Sequence, residues 1–90
     1  MPTTTLFTLD DLRRILLEAA GAEEGTDLSG DIIDTTFELL GYDSLALLET
    51  GSRIEREYGI TLEDSALTDA VDPRSLIDTV NAQLSAAQSV

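Results

Sequence analysis

Leu39-Leu40-Gly41-Tyr42-Asp43-Ser44-Leu45-Ala46-Leu47-Leu48-Glu49 is the stretch whose reading decides the fold. An apolar pair, a Gly turn, a capping Asp and a Ser stand directly before an apolar-periodic run, so the pattern predicts a helix whose first turn holds Ser44. Asp43 is a good N-cap, because its carboxylate can accept from N–H groups that have no partner inside the helix. The Ser44 hydroxyl beside it then points outward. A helix N-terminus carries partial positive charge, so an anion esterified to that hydroxyl is electrostatically favoured there. Taken alone, Asp-Ser-Leu is simply a helix start.

Outward from this stretch, the rest of the chain reads as helix. The predicted helix over about 44–58 ends at Gly59, a natural C-terminal stop. Leu47, Gly51, Ile54 and Tyr58 share one of its stripes, and Leu45, Leu48, Ser52 and Glu55 another. The Leu47, Ile54 and Tyr58 stripe is assigned to the core, and the surface of Leu45, Leu48, Glu49 and Glu55 partly to partners. Gly51 in mid-helix costs about 0.5 to 1 kcal/mol relative to Ala, so either close helix packing or a void for cargo is expected there.

Before this helix, Thr8 and Asp11 resemble a capping box and open a helix over about 8–20. Leu9, Leu12, Ile15, Leu16 and Ala19 recur on its inner face, while Arg13, Arg14 and Glu18 fall outside and Gly21 stops it. The Thr-rich start before Thr8 reads as frayed. Residues 21–43 form a long polar connection with apolar islands at Leu28, Ile32, Ile33, Phe37 and Leu40. A structureless loop of that length is unusual, so the islands are expected to pin it across the bundle, with a helical turn in 34–40. Asp27, Ser29, Asp31, Asp34 and Glu38 imitate a calcium loop, but Ile32 stands where that loop needs Gly, so no metal site is expected.

After Tyr58, Ile60 and Leu62 lead to a short helix near 63–68, whose Leu67 and Val71 are expected in the core. The last helix has Asp72 as cap and Pro73 at its first position, with Leu76, Ile77, Val80, Leu84 and Ala87 inside and a frayed end from Gln88. Arg74 and Asn81 lie two turns apart at the edge of that buried face. The expected class is therefore all-α, a four-helix bundle with a short third helix and a long first connection, built as one domain over 1–90.

Composition limits the chemistry. The chain has 90 residues with no Cys or His, and 18 acids against five cations, all Arg, for a formal charge of -13. Without Cys, His or Lys it assembles no serine-histidine pair, thiol nucleophile, Schiff base or phosphate-loop lysine. Ser44 also lacks the flanking glycines of a nucleophile elbow, so it reads as the substrate of another enzyme. The charge disfavours nucleic acid and anionic membrane and calls for basic partners. With no apolar run of membrane length and no secretion signal, a cytoplasmic monomer is expected.

The run Leu-Gly-Tyr-Asp-Ser-Leu-Ala-Leu-Leu-Glu at 40–49 closely resembles the prosthetic-group site of acyl carrier proteins. Tyr42 and Asp43 make it most similar to the stand-alone carriers of bacterial aromatic polyketide synthases. That resemblance implies 4'-phosphopantetheine on Ser44, attached by a phosphopantetheinyl transferase. It implies malonyl units and growing poly-keto chains carried as thioesters on the arm's terminal thiol, in antibiotic biosynthesis. The implied partners are a ketosynthase with its chain-length factor, a malonyl transferase, a ketoreductase and cyclases. Arg74 and Asn81 are then candidates to hydrogen-bond the polar cargo. A carrier for fatty-acid or peptide synthesis is the nearer alternative, and a small acidic interaction module without a prosthetic group the farther one.

Overall fold

The computed structural model describes residues 6–21 and 32–88, and among them the fold is all helical. Five helices follow in order: α1 (Leu9–Ala20), α2 (Phe37–Leu40), α3 (Ser44–Tyr58), α4 (Asp64–Thr68) and α5 (Pro73–Gln88). Four of them are the expected bundle, and α2 is the helical turn in the long connection. α1 packs mainly on α3 and also meets α5, while α4 bridges α3 and α5.

Local chemistry sets the helix ends. The Asp11 N–H donates to Thr8 Oγ1 at 3.3 Å and the Thr8 N–H to Asp11 Oδ2 at 3.1 Å, a complete capping box. Ser75 N–H donates to Asp72 Oδ1 at 2.9 Å at the head of α5, with Pro73 next to the cap. Gly59 takes φ +68° after α3, the left-handed conformation that only Gly adopts at little cost.

Leu12, Ile15 and Leu16 of α1, Leu47 and Ile54 of α3, and Leu76, Val80 and Leu84 of α5 form the buried core. Ile32, Phe37 and Leu40 join it from the connection. Two backbone hydrogen bonds fasten this strand of chain, from Phe37 N–H to the Val71 carbonyl at 2.9 Å and from Arg74 N–H to the Ile33 carbonyl at 3.0 Å. Leu28 and the imitation calcium ligands Asp27, Ser29 and Asp31 lie outside the described residues, as do the Ala87 side chain and the tips of both termini. Among the described residues no group of acids could hold a metal, and no helix is long and apolar enough to cross a membrane.

Two expectations about burial are corrected. Val71 is 60% exposed and Ala70 is buried in its place, because the chain leaves α4 through Asp69 in a turn that points Ala70 inward. Phe7, in the stretch expected to fray, is buried, and its ring meets Tyr58 edge-on at 5.4 Å. Asn81 explains its order: the Phe7 N–H donates to Asn81 Oδ1 at 2.7 Å, and Asn81 Nδ2 returns a bond to the Phe7 carbonyl at 3.0 Å. Gly51 is resolved as close packing, since Leu67 of α4 fills the space where a side chain would stand.

Candidate functional site

Ser44 is the first residue of α3 and is exposed. Asp43 caps the helix as its residue type dictates, accepting from the Ala46 N–H at 2.8 Å while its carbonyl accepts from Leu47 N–H at 3.1 Å. Gly41, at φ +88°, ends α2 in the left-handed region and turns the chain toward that cap. The three residues between the helices, Gly41, Tyr42 and Asp43, therefore set where the backbone of Ser44 begins α3.

Tyr42 makes the floor of the site. Its ring is buried and its hydroxyl donates to the Gly21 carbonyl at 2.9 Å, joining the end of α1 to the residue two before Ser44. Burial pushes the Tyr42 phenol above its ordinary value, because the anion would lose water it could not replace. On one side of the Tyr42–Asp43 wall lies a cleft of about 310 Å³ bordered by Ala19, Gly21, Leu45 and Glu49. On the other lies one of about 240 Å³, which includes Ser44 itself with Phe37, Glu38, Leu47, Ala70 and Val71.

A phosphate ester fits Ser44. The hydroxyl is solvent-exposed, and it stands at a helix start whose leading N–H groups have no intrahelical acceptor. Asp43 is already turned into the helix by its bond to Ala46, so its carboxylate is occupied by a cap rather than aimed at the anion.

The partner surface expected on α3 divides. Leu45, 65% exposed, and Glu49 face solvent, whereas Leu48 is half-buried and packs on the core. Glu55 is also half-buried, and its Oε2 accepts from the Leu62 N–H at 3.0 Å, so it closes the loop after α3. Arg74 and Asn81, the expected cargo contacts, are both engaged within the chain. Arg74 Nε donates to Asp34 Oδ1 at 2.8 Å, and Asn81 holds Phe7. The Arg74 guanidinium keeps the Asp34 carboxyl below the usual carboxylate range. Both side chains therefore tie segments of backbone together.

Glu38 and Val71 border the Ser44 cleft although no sequence spacing relates them to Ser44. Their placement comes from the Phe37–Val71 backbone bond, a contact that local pattern does not reveal.

Comparisons with known proteins agree with this geometry. The family model described as "Phosphopantetheine attachment site" matches residues 10–80. The chain is 66% identical over 82 residues to the monensin polyketide synthase acyl carrier protein of Streptomyces virginiae, covering 91% of this chain and 92% of that one. It is 59% identical over 82 residues to the granaticin polyketide synthase acyl carrier protein of Streptomyces violaceoruber, covering 90% and 96%. Among solved structures, the 3,5-dioxohexyl form of the carrier from the actinorhodin polyketide synthase of Streptomyces coelicolor superimposes with a TM-score of 0.86 at 50% identity, covering 94% of this chain and 99% of that one. With an exposed serine at a capped helix start inside the matched region, the chain belongs to the phosphopantetheine attachment site family, among the acyl carrier proteins of polyketide synthases.

Proposed function

We propose that this chain is the acyl carrier of a bacterial type II polyketide synthase, with 4'-phosphopantetheine on Ser44. One observation carries the reading: Ser44 presents an exposed hydroxyl at the Asp43-capped head of α3, inside the region that matches the family. The group, once attached, supplies the terminal thiol on which acyl units ride.

The chain's own residues do three things. Asp43 and Tyr42 fix the attachment point, the first by capping α3 and the second by its bond to Gly21. Leu45 and Glu49, with Asp43, offer an apolar contact ringed by acids, which attracts basic surfaces on enzymes and gives weak, salt-sensitive docking. The cleft beside Ser44, walled by Phe37, Leu47 and Ala70, gives an apolar surface against which an attached chain lies.

The enzymes so addressed are the phosphopantetheinyl transferase, the ketosynthase with its chain-length factor, the malonyl transferase, the ketoreductase and the cyclases. The chain itself contributes no catalytic side chain. Intact mass after incubation with coenzyme A, magnesium and a broad-specificity phosphopantetheinyl transferase tests the reading. A gain of one phosphopantetheine, absent in Ser44→Ala, is expected; no gain under conditions that modify a control carrier would move the function to a protein-interaction module.

A further inference from the structure

The exposed side of α3 changes sign along its length. Leu45, Glu49, Ser52 and Arg56 follow one another at helical spacing, with Arg53 beside them one turn after Glu49. At 1.5 Å per residue, Arg53 and Arg56 stand about 14 and 18 Å along the axis from Ser44. The acids of this far half are occupied. Glu57 is held by both terminal nitrogens of Arg14, which keeps its carboxyl below the ordinary range, and Glu55 is bonded to Leu62.

Arg53 has one long contact, 3.8 Å to a Glu18 oxygen that also serves Arg14 at 3.4 Å. Arg56 is exposed and forms no ion pair among the described residues. These two guanidinium groups border two adjoining hollows of about 370 and 320 Å³ between α1 and α3. Ile15, Glu18 and Glu57 complete the first, and Ala19, Glu49 and Ser52 the second. In a chain with a charge of -13, the far half of α3 thus presents two exposed guanidinium groups, Arg56 with no ion pair among the described residues and Arg53 with only a long, shared one.

We propose that Arg53 and Arg56 form a second docking site that takes carboxylate side chains on the face of the ketosynthase subunit, the partner the carrier must meet at every elongation step. The site rests on the carrier reading above. A guanidinium fork matches a carboxylate in shape as well as charge. A partner that offers basic groups to Asp43 and Glu49 and carboxylates to Arg53 and Arg56 fits α3 in one direction only. The reversed arrangement sets like charges against each other at both ends. Nucleic acid is a poor occupant, because its dense, continuous negative charge meets the field of the whole chain, whereas a folded partner can set single carboxylates at the guanidinium groups and basic groups at Asp43 and Glu49.

The test uses the phosphopantetheinylated chain and its cognate ketosynthase–chain-length factor pair, with Kd measured by titration at fixed ionic strength. Arg53→Gln/Arg56→Gln is compared with Ala82→Glu/Gln83→Glu on the exposed side of α5, which changes the net charge by the same amount elsewhere. Thermal melting confirms that each variant is folded, and intact mass confirms that Ser44 is loaded. Weakening of about tenfold in the Arg pair is expected, with about threefold for Arg56→Gln alone and less than twofold for the α5 control. Binding within twofold of wild type in the Arg pair, or equal weakening in the α5 control, would overturn the site. Failure of the wild-type chain to load would overturn the carrier reading instead, so the two failures are distinguishable.

Discussion

Gly51 and Leu67 compete for one volume: a Cβ on Gly51 would stand 2.2 Å from Leu67 Cδ1 and 3.0 Å from its Cγ. Leu67 is itself buried, so its side chain has little room to turn away. In an exposed helix, Gly→Ala gains about 1 kcal/mol, but overpacking a filled core costs about 1 to 3 kcal/mol. Gly51→Ala is therefore expected to destabilise the chain by about 1 kcal/mol in urea unfolding, the difference of those two effects. Adding Leu67→Ala should remove the clash, so the double variant should be less destabilised than the sum of the two single ones. A stabilised Gly51→Ala would show that α4 yields freely.

Asn81→Ala breaks both hydrogen bonds to the Phe7 backbone. A loss of about 1 to 3 kcal/mol is expected, since a partly buried donor and acceptor are left without partners. Hydrogen exchange at the Phe7 amide should accelerate beyond the change in global stability. Unaltered protection there would mean that the Phe7–Tyr58 contact alone orders the segment.

Tyr42→Phe removes the bond to the Gly21 carbonyl and should cost about 0.5 to 1.5 kcal/mol near neutral pH. The phenol's folded-state value is raised by burial, so the native chain holds that proton more tightly than the unfolded chain. Its contribution is complete below the unfolded tyrosine value and is lost as pH rises through and beyond it. The gap between wild type and Tyr42→Phe should therefore narrow in alkali. Tyr58, also raised mainly by burial, is unchanged in both proteins and cancels in the comparison.

Asp34 titrates below its ordinary range because of Arg74, so the pair's contribution is present above the unfolded carboxyl value and is lost as pH falls through the folded one. The difference in stability between wild type and Arg74→Gln should shrink on acidification, and the Asp34 carboxyl should return to the ordinary range in the variant. Carbon-detected NMR titration reads both. An Asp34 titration unmoved by Arg74→Gln would show that the pair does not persist in solution.

What the sequence discloses and what it hides divide along contact range. The Thr8–Asp11 box, the Asp43 cap on Ala46 and the Asp72 cap on Ser75 each join residues three apart, so local chemistry is enough to place α1, α3 and α5. The exposed position of Ser44 follows from the same reasoning. The Phe7–Asn81 clasp joins residues 74 apart and the Asp34–Arg74 pair residues 40 apart, and no periodicity marks either. Val71 faces solvent rather than the core for a related reason: after only five residues of α4, helical spacing no longer says which way the chain faces. Glu55 satisfies a surface pattern, yet it is claimed by a backbone N–H seven residues on, which only the turn at Gly59 brings within reach.

The net charge of -13 makes self-repulsion a global term. Raising sodium chloride from about 0.05 to 0.5 M shortens the screening length severalfold, so the melting temperature should rise. A fall would mean that screening of pairs such as Arg14–Glu57 outweighs relief of repulsion.

With phosphopantetheine on Ser44 as proposed, the cap on α3 also governs the statistics of delivery. A tether whose origin is pinned to a rigid helix sweeps a volume defined by its own length, so the local molarity of its tip at a docked active site is set by the docking angle. Asp43 and Tyr42 remove uncertainty in that origin, leaving all the slack in the arm. Brief, weak encounters are then enough for transfer, and rapid release, rather than tight grip, is what lets one carrier visit many stations in succession.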